Sequence, residues 1–298
     1  MAAAIATSGL TKYFGPVVGV EDLSIEVEEG EIYGFLGANG AGKTTTIRLL
    51  LDLLRPSRGS ARVLDADCHR ESRRARGFVG YLPGELPIYP ELTAGDYLAF
   101  LSDVDGRRPA ASYLQLLLQR FDVSAIDLRR RLREHSHGMR RKIGIVQALM
   151  AQPPVLVLDE PTAGLDPLMG EAFRQTLEEL RRGGRTTVFL SSHVLSEVES
   201  TCDRIGLIRA GKLVNTGTLA ELRREAPRRV TVRFTRPVDA PVPAVPGVTP
   251  RSVEPRAWTV ECAGPVGPFV LSLAALPVED LEIEAFKLED HVLRMYAP

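Results

Sequence analysis

The chain is poor in cysteine. Three of its 298 residues are cysteines, Cys68, Cys202 and Cys262, odd in number and far apart. That spacing fits reduced cytosolic thiols in structural positions better than a disulfide framework or a zinc knuckle. A charge excess is also lacking: 37 Lys and Arg stand against 38 Asp and Glu, for a formal net charge of -1. No global field attracts nucleic acid, so no nucleic-acid partner is expected and any partner surface must be local. Long apolar runs are missing too. No stretch approaches the roughly 20 apolar residues that span a bilayer, and the opening "MAAAIATSGL" has no basic segment followed by an apolar core. The chain is expected neither to be secreted nor to cross a membrane itself. Internal repeats and long low-complexity tracts are absent.

What remains is ordinary globular material, 44% hydrophobic and 25% charged, in a length that exceeds one typical domain. Residues 1–225 alternate β-rich apolar runs with helical patterns, as an α/β core with a mainly parallel sheet requires. Strands are predicted over 31–37, 77–83, 154–160, 186–192 and 204–217, the last folded into a hairpin at Ala210-Gly211. The segment "IATSGLTKYFGPVVGVEDLSIEVEEG" reads as an antiparallel β region. Helical patterns cover 43–54, 94–104, 110–121, 138–151, 168–182, 194–200 and 218–225, with capping-box spacing between Thr218 and Glu221. A helical subdomain is expected over about 85–152. After residue 225 the composition shifts to dense proline and valine, with strands predicted over 228–234 and 257–263. Residues 226–298 are therefore read as a small α+β accessory domain, closing on a helix over "LEDHVLRMYAP".

The sharpest local signal is "GANGAGKT", Gly37 to Thr44, directly after the strand "IYGFL" and directly before the helical "TTTIRLLLDLL". This is a P-loop in the setting it needs. Gly37, Gly40 and Gly42, with Ala38, Asn39 and Ala41 between them, let backbone N–H groups turn inward around an anion. The following helix, from Thr45, adds its positive end. Lys43 reaches the outer phosphates and Thr44 is expected to hold magnesium. Downstream, "VLVLDEPTAGLDP" supplies four apolar residues of a buried strand that carries Asp159 to its carboxyl end, where ligands of such sheets collect. Asp159 can hold magnesium through water. Glu160, one residue further, is placed to polarise a water for attack on the terminal phosphate.

P-loop, Asp159-Glu160, "AGLD" (163–166) and a strand ending at His193, in that order over roughly residues 5–225, resemble the ATPase subunit of an ATP-binding cassette (ABC) transporter. The resemblance implies an α/β P-loop NTPase fold with a mainly parallel core sheet, an antiparallel β subdomain and a helical subdomain. It also implies ATP and Mg2+ as cofactors. Asp166 would touch the opposite subunit, His193 the terminal phosphate. The family's signature segment, of the form LSGGQ, falls on "HSHGM", 135–139: Ser136 and Gly138 match, while His135, His137 and Met139 depart. Ser136, His137 and Gly138 are thus assigned to ATP held by a partner copy, since a hydroxyl and the N–H groups of a positive helix end can grip phosphate. A metal site on the two histidines would need a third and usually a fourth ligand, and Glu134 would be strained to join them. The adenine would stack on Phe14, with Tyr13 as runner-up. Where the family carries a glutamine after "GYLP", this chain has Gly84, so Glu85, water or fewer protein groups must complete the magnesium site.

One phosphate loop and one signature segment on different faces imply a homodimer closed around two ATP molecules. The same resemblance, with "GMRRKIGIVQALMAQPPVLVLDEPTAGLDP", points to the bacterial drug and antibiotic exporters. Separate transmembrane permease subunits would carry drug, antibiotic or lipid substrates, with the ATPase peripheral on the cytoplasmic face of the membrane and touching it only through them. ABC ATPases that act on ribosomes or DNA carry paired ATPase halves, coiled coils or zinc modules, and this sequence has none. A regulator without hydrolysis would be expected to lose Glu160 or His193, and both stand.

Overall fold

The computed structural model describes residues 3–86, 89–184, 186–225 and 228–284. The chain divides into two compact units, Met1–Thr216 and Gly217–Pro298.

The first unit opens with β1 (Ala3–Phe14), β2 (Val17–Leu23), β3 (Glu26–Glu28) and β4 (Ile32–Leu36), then α1 (Lys43–Leu50), β5 (Arg58–Val63), β6 (Ala66–Asp67), α2 (Ser72–Gly77) and β7 (Val79–Leu82). It continues through α3 (Ala94–Asp105), α4 (Ala111–Arg120), α5 (Ala125–Arg129), a 3-10 turn Leu132–Glu134 and α6 (His137–Met150). β8 (Val155–Asp159), α7 (Pro167–Gly183), β9 (Thr187–Ser192), α8 (Leu195–Thr201), β10 (Arg204–Arg209) and β11 (Lys212–Thr218) follow. Two sheets result. β1 is the spine of an antiparallel one, in the order β2-β1-β5-β6 with β3 also on β1. The other runs β11-β10-β4-β9-β8-β7, its β10-β4-β9-β8-β7 pairs all parallel. β10 and β11 meet through Ala210 and Gly211, both at positive φ (47° and 81°), the two-residue turn that a tight hairpin requires.

β4, β8 and β9 are buried at every position, as parallel strands covered on both faces must be. Phe35 and Phe189 pack at 5.3 Å and Tyr33 stacks on Phe189 at 5.9 Å, filling the core beneath the strand ends. Register then fixes what those ends present. Leu36 pairs with Ser192, Asp159 with Ser191, and Leu82 with Leu158. Gly37, Glu160, His193 and Pro83 therefore leave the sheet side by side at one edge.

The second unit contains α9 (Leu219–Glu225), capped by the Thr218–Glu221 pair, then β12 (Arg228–Phe234), β13 (Val248–Glu254), β14 (Ala257–Cys262), α10 (Gly267–Ser272) and β15 (Val278–Glu284). Its sheet is antiparallel, ordered β13-β14-β12-β15. Val230, Val232 and Phe234 alternate inward from β12 onto Trp258 and Phe269, with Trp258 edge-on to Phe234 at 4.7 Å. The helix expected over "LEDHVLRMYAP" lies outside the described residues, as do Pro87 and Ile88 of the loop "GELPIYPELT".

Candidate active site

The glycines of the phosphate loop are dictated by backbone. Gly40 and Gly42 stand at φ 79° and 113°, and a Cβ on Gly42 would lie 2.7 Å from the Gly19 carbonyl. Gly42 also begins α1, and no side chain caps that helix start. Its first N–H groups, taken by no side chain, can donate to an anion. Lys43, although an ammonium, is buried (5% exposed). Its Nζ donates to Gly37 O (2.6 Å) and Ala38 O (3.2 Å) and lies 3.4 Å from Glu160 Oε1.

Next to it, Thr44 Oγ1 donates to Asp159 Oδ2 at 2.9 Å while Ser191 Oγ donates to Asp159 Oδ1 at 2.5 Å. Both carboxylate oxygens of a buried Asp159 are thus engaged, one by the loop and one by β9. A hydroxyl and a carboxylate already in contact are hard oxygen donors of the kind magnesium takes, which needs only one or two protein ligands when phosphates and water supply the rest. The residues fit the ion.

Glu160 departs from ordinary backbone, at φ 48°. Its N–H is bonded to Ser191 O (3.1 Å) and Ser191 Oγ (3.2 Å), and His193 Nδ1 lies 3.2 Å from its Oε1. One carboxylate is thereby flanked by Lys43 and by an imidazole on the next strand end. Phe14, not Tyr13, faces this site. A Cβ on Gly19 would lie 2.7 Å from the Phe14 ring and 3.2 Å from the Thr45 methyl, whereas the Tyr13 hydroxyl is turned to Glu21 Oε1 at 3.2 Å. Phe14 is 45% exposed, an open ring beside the phosphate loop.

The signature residues form a second group. Ser136 is the N-cap of α6: its Oγ accepts from Met139 N at 3.2 Å, which leaves the hydroxyl proton free to donate outward. Gly138 and His137 lie against Gly164 of the "AGLD" loop. A Cβ on Gly138 would sit 3.1 Å from Gly164 O, and one on Gly164 2.8 Å from His137 Nδ1. Asp166 caps α7, its Oδ1 accepting from Met169 N at 3.0 Å. His135 is turned inward, its Nε2 3.1 Å from Asp127 O. Among the described residues no group of three or more His, Cys, Asp or Glu side chains comes together as a metal site, and no direct hydrogen bond or ion pair joins the signature residues to the phosphate loop.

A Cβ at Gly84 would lie 3.4 Å from Asp159 Oδ2, so position 84 faces the Thr44–Asp159 pair. Glu85 instead lines a cavity of about 200 Å3 with Leu86, His137 and Arg140. Two contributors were not legible in the motifs. Ser191 holds both Asp159 and the Glu160 N–H. Arg141 is buried beneath the ends of β7 and β8, and that burial pulls its guanidinium pKa below the ordinary value. Its spacing with Ile145 and Ala148, one face of α6 that is otherwise apolar, was the signal available for it.

Residues 20–163 match the family described as ABC transporter. The chain is 36% identical over 216 residues to the bacitracin transport ATP-binding protein BcrA of Bacillus licheniformis, covering 72% of this chain and 69% of that protein. It is 35% identical over 209 residues to the ABC transporter ATP-binding protein NatA of Bacillus subtilis, covering 69% and 84%. It is also 35% identical over 224 residues to the probable multidrug ABC transporter ATP-binding protein YbhF of Escherichia coli, covering 74% and 38%. Among solved structures, an ATP-binding subunit of an ABC transporter superposes with a TM-score of 0.69 at 28% identity, over 74% of this chain and 92% of that one. An ATP-binding cassette bound to ADP and Pi shares the fold, with a TM-score of 0.66 at 20% identity over 72% and 98%. Phosphate loop, Asp159-Glu160 edge and relatives agree: the chain belongs to the ATP-binding subunits of ABC transporters.

Proposed function

We propose that this subunit hydrolyses ATP and that two copies close around two ATP molecules to drive separate membrane-spanning subunits. The observation that carries the reading is the convergence, at one sheet edge, of Lys43, the Thr44–Asp159 pair and a Glu160 flanked by Lys43 and His193. Phosphate binding would draw Lys43 and the N–H groups of 38–44 onto the anion. Phe14 would stack on adenine and His193 would face the terminal phosphate. Thr44 and Asp159 would hold Mg2+, which when bound neutralises phosphate charge; for Glu85 to join them its carboxylate would have to leave the cavity it lines. Glu160 is the group that polarises the attacking water. Ser136, His137, Gly138 and Asp166 serve the nucleotide of the partner copy.

The named relatives include a bacitracin transport protein and a probable multidrug transporter protein, which supports a drug or antibiotic as cargo; we read the direction as export, through permease subunits at the cytoplasmic face of the membrane, with lipid as a further cargo class. Among the described residues no helix is long and apolar enough to cross a membrane. The test is steady-state turnover with Mg-ATP by the full chain and by Glu160→Gln. A general base contributes about 10^2–10^4-fold, so the variant should lose activity on that scale while still binding ATP. Undiminished hydrolysis by Glu160→Gln would remove the base assignment.

A further inference from the structure

After Trp258, Arg141 is the largest fully buried side chain among the described residues. Every donor of its guanidinium goes to a main-chain carbonyl. Nε donates to Pro161 O (3.1 Å), Nη1 to Pro83 O (2.6 Å) and Gly84 O (3.1 Å), and Nη2 to Asp159 O (2.6 Å) and Glu160 O. Five N–H groups thus meet five acceptors, the full capacity of the side chain. None of these acceptors is a carboxylate. A methionine of similar volume would fill the same space without desolvating a charge, so packing alone does not account for a guanidinium here.

The five carbonyls share a location. Pro83 and Gly84 close the end of β7; Asp159, Glu160 and Pro161 close the end of β8. Glu160 stands at φ 48°, a left-handed backbone that L residues avoid unless neighbours hold it. Ser191 takes its N–H on one side and Arg141 binds its carbonyl on the other. The side chain that clamps this turn is carried by α6, whose first residues are the phosphate grip: Ser136 caps the helix, and Arg141 lies about one turn beyond Gly138. Gly84 has no side chain with which to reach the site, yet its carbonyl is tied to the same guanidinium.

We infer that Arg141 is a positioning residue for hydrolysis: it fixes the backbone turn that aims Glu160 in its own chain and makes that aim depend on how α6 is seated against the partner's nucleotide. The inference rests on the ATPase reading above. A helix moves as a rigid rod over one turn, so a displacement of Gly138 on gripping phosphate carries the guanidinium with it, and the turn at Glu160 follows. Gripping the nucleotide across the interface would then improve the aim of each copy's own carboxylate.

The test uses the full chain with Mg-ATP. Arg141→Gln should lower kcat about 10-fold or more while KM for ATP stays within about 3-fold, because ATP-binding groups are untouched. Arg141→Met, which keeps the volume, is measured alongside to separate lost donors from lost packing, and should be as slow. Arg141→Lys should not rescue, since an ammonium cannot span both strand ends as a planar fork does. Mixed dimers locate the effect. In Arg141→Gln paired with Lys43→Ala, the usable site takes its Glu160 from the Arg141→Gln chain, and activity should fall about 10-fold below wild type paired with Lys43→Ala. In wild type paired with the double variant Lys43→Ala/Arg141→Gln, the usable site has a wild-type Glu160, and activity should match that reference within about 2-fold. Loss in the second pairing, where the altered chain supplies only the signature segment, would mean that Arg141 shapes that segment instead. That result, full activity of Arg141→Met, or rescue by Arg141→Lys would each overturn the inference. An idle wild-type chain would refute the ATPase reading instead.

Discussion

Lys43 shows how one charge organises the site. Its ammonium is buried among two loop carbonyls and the Glu160 carboxylate, and a hydrogen bond to a charged group is worth about 1.5–3 kcal/mol. If this cation meets the outer phosphates as proposed, Lys43→Ala should weaken ATP binding by about 10- to 100-fold. Equilibrium titration with ATP checks this, and unchanged affinity would count against the phosphate-loop role. The Ser136 hydroxyl has two uses on the proposed reading: its oxygen caps α6, and its proton would go to phosphate. Ser136→Ala should therefore cost about 1 kcal/mol of stability through the cap, seen as a lower melting temperature. Ser136→Asp would restore the cap, set a negative charge against phosphate, and leave turnover low. Full turnover by Ser136→Asp would separate the cap from any nucleotide role. At this scale the sequence was most readable where contiguous residues dictate local backbone, as from Gly37 to Thr44. It was least readable at Arg141, whose carbonyl partners lie between 18 and 58 residues away in the chain. A charge on a helix is ordinarily solvated, and the apolar spacing with Ile145 and Ala148 hints only at burial, not at what the guanidinium binds.

Elements carry the next layer. β7 packs on α6 because Gly80 has no side chain: a Cβ there would come within 2.3 Å of Ala148 O and 2.6 Å of Pro153 Cγ. Gly80→Ala must push strand and helix apart, and overpacking of this kind costs about 1–3 kcal/mol. Thermal unfolding should show a fall of several degrees, with turnover reduced because the ends of β7 and β8 shift with the helix. An unchanged melting temperature would contradict the packing described. Apolar runs made β4, β8 and β9 legible, since strands buried on both faces need continuous hydrophobicity. β13 and β15 were not legible for the converse reason. They are the edge strands of the second unit's sheet and mostly exposed: Pro250 interrupts one, and the other alternates only over Asp280–Glu284, with Ile283 left exposed. Helix α1 also stops at Leu50, short of the periodic run to 54, as Asp52 turns into the left-handed region at φ 53° ahead of Pro56.

At the scale of the whole chain, the three cysteines serve as probes of integrity. Burial pushes the Cys68 thiol up to about 12 and raises Cys202 and Cys262 as well. A raised thiol pKa leaves almost no thiolate near pH 8, and all three side chains are buried. Iodoacetamide at that pH should label none of them in the folded chain and all three after denaturation; rapid labelling of Cys68 in the folded chain would contradict its placement. The same scale holds the central claim. Among the described residues no hydrogen bond or ion pair joins phosphate loop and signature segment, and on the proposed reading a complete nucleotide site takes one from each of two copies. Sedimentation of the Glu160→Gln chain at saturating Mg-ATP tests this most directly. The account predicts a particle of two 32.6 kDa chains that returns to one when ATP is removed. A single-chain mass with ATP demonstrably bound would contradict it.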